Sequence, residues 1–153
     1  MKIEWKKITL EDKILLEPYY QYEQSGSCEV SFANNLLWAP FYEVEYALLE
    51  DMAVFLTRRN GYSVSMPMAK DDTTAANLKK VILQLEDYFE QRGQEFHIHL
   101  VTKEKFELLE SIFPGKYQIE YDRDVADYVY EVSKMITLAG KKLHGKRNHI
   151  NKF

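Results

Sequence analysis

The stretch EYALLEDMAVFLTRRNGYSVSM, residues 45–66, decides the fold. It contains three apolar runs, Glu45–Leu49, Met52–Thr57 and Tyr62–Met66. Glu50-Asp51 separates the first two runs, and Arg58–Gly61 separates the last two. Within the second connection, Asn60-Gly61 supplies the positive φ angles that tight hairpin turns demand. The sequence therefore predicts a meander of three antiparallel strands.

Short elements are predicted before the meander. They are a strand over Ile3–Trp5, a helix that begins after Thr9, and a helix over Ser31–Trp38. The hydroxyl of Thr9 stands three residues before the carboxylate of Asp12, which is a variant of the capping box. Pro18 is expected to end or kink the first helix near Glu17, and Pro40 to stop the second.

Helices and strands are predicted to alternate after the meander. Asp71–Thr74 offer N-caps to a long helix that Gly93 closes. Its apolar residues recur at steps of three and four, as an amphipathic helix requires: Leu78, Val81, Ile82, Leu85, Tyr88 and Phe89. The remaining predicted elements are a strand over Glu95–Val101, a helix from Thr102 to Ile112 ended by Pro114-Gly115, and strands over Tyr117–Tyr121 and Asp127–Val132.

This order of elements resembles that of the GNAT N-acetyltransferase superfamily. The resemblance implies an α+β fold, an α/β sandwich in which helices flank a mixed, mostly antiparallel sheet. GNAT enzymes hold the pyrophosphate of acyl-CoA on backbone N–H groups of a glycine-containing loop before the long helix. The matching loop here, Met66–Thr73, has no glycine, includes Pro67 and carries two carboxylates. We therefore expect no cofactor, and in particular no acyl-CoA held in the usual way.

Composition favours a cytoplasmic protein. The single cysteine, Cys28, excludes an internal disulfide framework. Met1–Lys7 lacks the apolar core of a signal peptide, and runs such as Met52–Leu56 fall far below the roughly 20 residues of a membrane helix. The chain is not expected to span a membrane.

Several acidic and histidine residues are alternative candidates for chemistry. Asp71 and Asp72 could act as acid–base groups or magnesium ligands, but two acids at a helix start also complement the helix dipole, which we favour. His97 and His99 share a predicted strand face and could bind metal, yet no clear third ligand lies nearby, so packing or surface roles are favoured.

A trio of carboxylates surrounds Arg123. Asp122, Asp124 and Asp127 could serve metal or general-base chemistry. The other interpretation, which we favour, is a salt-bridged turn between two strands, because the guanidinium neutralises part of the cluster.

Charge is distributed unevenly along the chain. Residues 1–133 carry 14 Lys/Arg and 24 Asp/Glu, whereas residues 134–153 carry 6 Lys/Arg and no acid. A basic terminal segment suggests an anionic partner or docking on an acidic surface. Gly140–Lys146 fits the spacing of a P-loop, but Arg147 replaces the magnesium-binding hydroxyl and the flanking strand and helix have no room. Nucleotide hydrolysis is therefore rejected.

The run KLHGKRNHINKF, residues 142–153, is the most informative motif. With Asp122-Arg123-Asp124 and Asp127–Tyr130, it resembles a bacterial family of unknown function related to the phosphatidylglycerol lysyltransferase C-terminal domain. The resemblance implies two GNAT-like halves in tandem, of which this chain matches the N-terminal half. It divides the chain into a GNAT-like domain, residues 1–133, and a basic helix or linker, residues 134–153, leading towards a second half that this chain lacks.

The resemblance implies transferase ancestry, with aminoacyl-tRNA as donor and a lipid as acceptor in the lysyltransferases. The candidate ligand- or anion-binding residues are Lys141, Lys142, His144, Lys146, Arg147, Asn148 and His149. They could bind phosphates of tRNA or lipid, or the segment could dock a second half or another copy of the chain. No catalytic residue and no metal ligand is assigned.

Two functions follow. The first is part of an acyl- or aminoacyl-transferase that is inactive without its other half. The second is a non-catalytic binding or regulatory module that presents a basic helix to RNA or protein.

Overall fold

A five-stranded sheet organises the residues that the structure describes. The computed structural model describes residues 2–23, 25–59, 61–123 and 126–152. Their strands are β1 Lys6–Lys7, β2 Glu45–Leu49, β3 Met52–Thr57, β4 Ser63–Ser65 and β5 Ile98–His99. The strands lie in the order β1-β2-β3-β4-β5. The first four pair antiparallel and β5 is parallel to β4, so the predicted meander and the mixed, mostly antiparallel sheet are confirmed.

Helices supply the rest of this α+β fold. They are α1 Lys13–Tyr22, α2 Phe32–Tyr42, α3 Asp72–Ala75, α4 Leu78–Glu90, α5 Lys103–Ile112, α6 Val132–Thr137 and α7 His144–Ile150. Short 3₁₀ helices cover Leu10–Asp12 and Lys141–Leu143. The chain divides into two compact units, Met1–Ile119 and Glu120–Phe153. The boundary predicted after residue 133 stays a prediction.

Strand β3 is buried on both faces. Successive side chains of a strand point to opposite faces. Val54 and Leu56 accordingly join a cluster with α4 and α5, through residues such as Leu85. Ala53 and Phe55 join a second cluster with α1 and α2. Helices therefore cover both faces of this strand.

A two-residue turn sets the register of β2 against β3. Leu49 pairs with Met52, so the loop is Glu50-Asp51, with φ angles of 48° and 61°. Residues other than glycine seldom adopt positive φ. Side chains of α4 hold the turn, since Gln84 Nε2 donates to Glu50 Oε1 at 3.1 Å. The predicted second turn involves Asn60, which lies outside the described residues; Gly61 has a φ of +107°.

Proline does not end the first two helices. Helix α1 continues past Pro18 to Tyr22, and α2 continues past Pro40 to Tyr42. The expected stop of α2 at Pro40 was therefore wrong. In α1, apolar burial continues on both sides of the proline, at Leu16 and Tyr19. This burial offsets the hydrogen bond that proline removes.

The strands predicted after the meander are shorter or absent. The predicted strand over Glu95–Val101 is reduced to β5, because Leu100 turns to a φ of 60°. No strand forms at Tyr117–Tyr121 or at the described residues of 127–132, so both expectations were wrong. A strand needs a partner ladder, and Tyr117 instead bonds to Glu86. The first strand lies at Lys6–Lys7 rather than Ile3–Trp5.

Two predicted helices are interrupted. The long helix is divided at Ala76-Asn77 into α3 and α4. The basic terminal segment is two helices and a 3₁₀ turn rather than one helix. The break follows from Leu138 and Gly140, whose φ angles are 48° and 92°.

The carboxylate of Asp12 connects α1 to the sheet. It accepts hydrogen bonds from the Tyr46 hydroxyl at 2.8 Å, from the Thr9 N–H at 2.9 Å and from Lys6. Burial opposes its charge, but the bonds from Lys6, Thr9 and Tyr46 prevail and lower the pKa of Asp12 from 3.8 to about 2. The predicted capping pair of Thr9 and Asp12 is thereby confirmed.

Asp12 should make the domain lose stability in acid. The unfolded chain takes up this proton near pH 4 and the folded chain near pH 2, so stability present above pH 4 is lost as pH falls towards 2. Asp12→Asn should cost about 2 kcal/mol at pH 7 and remove that part of the acid dependence. Urea unfolding across this pH range measures both effects. Exposed Asp87→Asn is the control, and an unchanged acid dependence in Asp12→Asn contradicts the assignment.

Candidate functional site

Within the basic segment, the side chain of Arg147 holds the short connection between α6 and α7. Helix α6 ends at Thr137, Leu138 takes a left-handed conformation, and the chain enters the 3₁₀ turn through Gly140. The guanidinium of Arg147 donates to the carbonyl of Leu138 and, at 3.0 Å, to that of Gly140. Arg147 thus supplies a donor to the carbonyl of Leu138, the C-cap of α6, and a second donor to the Gly140 carbonyl, which also accepts from the Leu143 N–H at 3.4 Å.

The other six predicted binding residues differ in whether their side chains contact another side chain. Asn148 and His144 meet across one turn of α7 at 3.3 Å. Lys146 Nζ lies 4.8 Å from the centre of the Tyr130 ring, a cation–π contact. Lys141, Lys142 and His149 are exposed.

Lys141 and Lys142 are exposed lysines of this segment whose positive charge is not neutralised by an ion pair on the described residues. Lys134 is paired with Glu131 at 2.9 Å. No ion pair holds Lys141 or Lys142 within the part of the chain that the structure describes. Residues 132–153 contain no acid at all. Two adjacent ammonium groups without acidic neighbours in sequence are suited to contact phosphate oxygens.

In the loop that matches the GNAT pyrophosphate loop, four N–H groups donate to acceptors within the chain. The N–H groups of Met66, Met68, Lys70 and Asp71 donate within the chain. The Thr74 hydroxyl accepts the last two, at 3.1 and 3.3 Å. Pro67 has no N–H to offer. These bonds compete with any anion for the same donors. The expectation that this loop does not hold acyl-CoA in the usual way stays a prediction.

Asp71 caps a helix, as we favoured. Its carboxylate accepts from the Thr74 N–H at 2.8 Å, and this bond lowers the pKa of Asp71. Asp72 accepts a hydrogen bond from the hydroxyl of Tyr22. Both carboxylates therefore have structural partners.

The two histidines near β5 occupy different environments. His97 precedes the strand and is exposed, with Nε2 3.3 Å from Glu95 Oε2. His99 lies in the strand, and its Nδ1 is buried without a hydrogen-bond partner in the described structure. Burial lowers the pKa of His99 from 6.5 to about 4. Among the described residues no group of three or more His, Cys, Asp or Glu is placed to hold a metal.

Two of the three carboxylates around Arg123, those of Asp122 and Asp127, lie within the described residues, and each has an interaction partner. The Ala126 N–H donates to the Arg123 carbonyl at 3.2 Å. No strand flanks this stretch on the described residues, so the favoured turn between two strands was wrong in its strands. Its salt bridges stay a prediction, and Asp124 lies outside the described residues.

Comparison with known proteins identifies the family. Residues 20–153 match the family described as "Phosphatidylglycerol lysyltransferase, C-terminal". The chain belongs to this family. The match includes the basic segment and all seven predicted binding residues, and no curated protein matches the chain.

A solved structure resembles this chain. It is a conserved protein of unknown function from Bacteroides thetaiotaomicron VPI-5482, with 31% identity and a TM-score of 0.80. The alignment covers 99% of this chain and 50% of that protein. The chain thus spans about half the length of its solved relative. In the described parts of this family member, no helix is long and apolar enough to cross a membrane.

Sequence reasoning missed two features of this family member's basic segment. It did not separate Arg147, which bonds to the backbone, from the exposed lysines. It also missed Tyr130 as the partner of Lys146. The glycine at position 140 was the available signal for a break, because it permits the positive φ that brings both carbonyls to Arg147.

His99 should remain neutral at mildly acidic pH. The unfolded chain binds this proton near pH 6.5 and the folded chain near pH 4, so this group weakens stability as pH falls between these values. An imidazole NMR titration should give a midpoint near pH 4, with His97→Gln used to assign the signals. A midpoint near 6.5 contradicts burial of the ring.

Arg147→Ala should loosen the loop before α7. Removing the guanidinium takes one donor from each of the carbonyls of Leu138 and Gly140, at a cost of about 0.5–1.5 kcal/mol per hydrogen bond. Hydrogen exchange of residues 138–150 should accelerate. Lys142→Ala removes the same charge without these bonds and should leave exchange unchanged. Equal acceleration in both variants contradicts the clamp.

Proposed function

We propose that this chain is one half of an acyl- or aminoacyl-transferase-like protein, and that its basic segment binds the phosphate of an anionic donor or acceptor. The family match over residues 20–153 carries the proposal. It is supported by the solved relative, of which the chain covers half. The family is described as phosphatidylglycerol lysyltransferase, so a phosphorylated lipid and a charged tRNA are the ligand classes to test.

Lys141 and Lys142 are the proposed phosphate contacts. Both are exposed on the 3₁₀ turn between Gly140 and α7. Arg147 positions this turn through its bonds to the backbone, so we give it a positioning role. His144, Lys146, Asn148 and His149 line the same short stretch of chain and remain proposed ligand contacts.

No catalytic step is assigned to this half. Acyl transfer requires a donor, an acceptor and a group that moves the proton. The exposed lysines supply charge for binding, whereas none of the seven candidates is positioned by a partner that activates a nucleophile. We propose that the active arrangement includes the other half.

A non-catalytic binding module is the second candidate function. Its support is the Met66–Thr73 loop, in which four N–H groups bond to Thr74, Ala53 and the β5 backbone. A domain in which these donors are occupied can keep the fold in order to present its basic segment alone.

Ligand-dependent thermal stabilisation tests phosphate binding by the basic segment and the expectation about acyl-CoA. A ligand that binds the folded state raises the apparent melting temperature. Bulk tRNA or phosphatidylglycerol vesicles should stabilise the chain, and acetyl-CoA should not. Stabilisation by acetyl-CoA alone overturns the loop argument, and no shift with tRNA or vesicles removes the phosphate role from this half.

The lysine pair should account for the salt dependence of binding. Lys141→Gln with Lys142→Gln should lower the slope of log affinity against log salt by roughly 1 to 2 for tRNA. The matched control is Lys13→Gln with Lys79→Gln, which removes equal charge from exposed sites on α1 and α4. Fluorescence anisotropy at several salt concentrations measures the slope. An equal reduction in both double variants contradicts a localised site.

A further inference from the structure

An exposed apolar stripe begins before the basic segment and continues into its first residues. It consists of Val129, Val132, Met135 and Ile136, with exposed fractions of 92%, 73%, 39% and 78%. The last three are spaced i, i+3 and i+4 on α6, so they share one helix face. Val129 precedes the helix by three residues. The stripe thus presents four apolar side chains to solvent within eight positions.

The second unit has little core of its own. Among the described residues of Glu120–Phe153, Leu138 is the only buried apolar side chain. Helix α6 has six residues, far fewer than an isolated helix needs in water. Units below about 40 residues usually need support from outside. The stripe is therefore a surface whose burial would stabilise the unit that carries it.

The solved relative indicates what covers the stripe. This chain aligns with 50% of the Bacteroides thetaiotaomicron protein, so a portion of equal size remains in that protein. We infer that the apolar stripe of α6 is the docking surface for a second domain equivalent to that remaining half. The inference rests on the part of the proposed function that gives the chain a second half.

The charge of the segment defines the partner further. Lys134 lies on α6 between the stripe residues and is paired with Glu131. Beyond the helix, residues 138–153 carry five Lys/Arg and no acid. A complementary surface has an apolar centre with acidic groups around it. A second copy of this segment would instead place like charges together around the shared stripe, which is unfavourable. Charge thus favours a different domain over a homodimer.

Hydrogen exchange of a chimera tests the docking surface. In the chimera, this chain replaces the matched half of the Bacteroides protein. Exchange at residues 126–137 should be at least roughly tenfold slower in the chimera than in the chain alone. Equally fast exchange in both proteins overturns the inference. So does protection in the chain alone that disappears on dilution, because that result identifies a second copy as the occupant.

Uncharged substitutions identify the side chains responsible. Val129→Gln, Val132→Gln and Ile136→Gln together should abolish the added protection in the chimera and leave the melting temperature of the chain alone unchanged. The matched control is Ile14→Gln with Leu37→Gln, which alters exposed apolar residues of α1 and α2, 87% and 76% exposed. Retained protection in the triple variant, or equal loss in the control, overturns the assignment.

The test of the docking surface and the test of phosphate binding can fail independently of each other. The triple variant keeps every lysine, so tRNA binding through Lys141 and Lys142 should persist. Absence of added protection in the unsubstituted chimera, together with intact phosphate binding, refutes only the docking surface. Added protection in that chimera without phosphate binding refutes only the phosphate role. If the chimera does not fold, the aligned segment of the intact Bacteroides protein is measured instead: slow exchange there supports docking and fast exchange overturns it.

Discussion

Burial of β3 on both faces is the constraint on which the first unit depends. Met52, Val54 and Leu56 enter one apolar cluster, and Ala53 and Phe55 enter the other. A slip of one residue against β2 would exchange these two sets. The register is held because the Glu50-Asp51 turn is bonded to α4. Since both faces need cover, α1 and α2 pack on one side, and α4 and α5 on the other.

Local sequence patterns predicted the first unit well because the apolar residues that form these patterns are the residues that its strands and helices bury. The three-strand meander and the amphipathic α4 follow from periods of two and 3.6. The errors occurred where tertiary burial outweighed a local rule, as in α1, which continues through Pro18. They also occurred where a strand pattern lacked a partner: the run Asp127–Val132 is rich in β-forming residues, but pairing is a non-local property that no run of sequence reveals.

The basic segment shows a different limit. Its motif lies within the family match, but the motif alone did not separate the arginine that bonds to the backbone from the exposed lysines. Whether an arginine binds a ligand or its own backbone depends on the path of the chain between Leu138 and α7. That path turns on two positive φ angles, of which only the one at Gly140 is visible in the sequence.

The two units differ in how much apolar surface they bury. The first buries two apolar clusters around β3, pairs Asp12 and directs four N–H groups of its Met66–Thr73 loop to acceptors within the chain. The second leaves Lys141 and Lys142 without ion pairs on its described residues and exposes the α6 stripe. Recognition requires groups whose bonding or burial is incomplete before a ligand arrives. The lysines without ion pairs and the exposed α6 stripe both lie among the described residues of the second unit, so one segment can connect phosphate binding to domain docking. A ligand at the lysines and a domain on the stripe would then order the same short helices, and each would bind more tightly in the presence of the other.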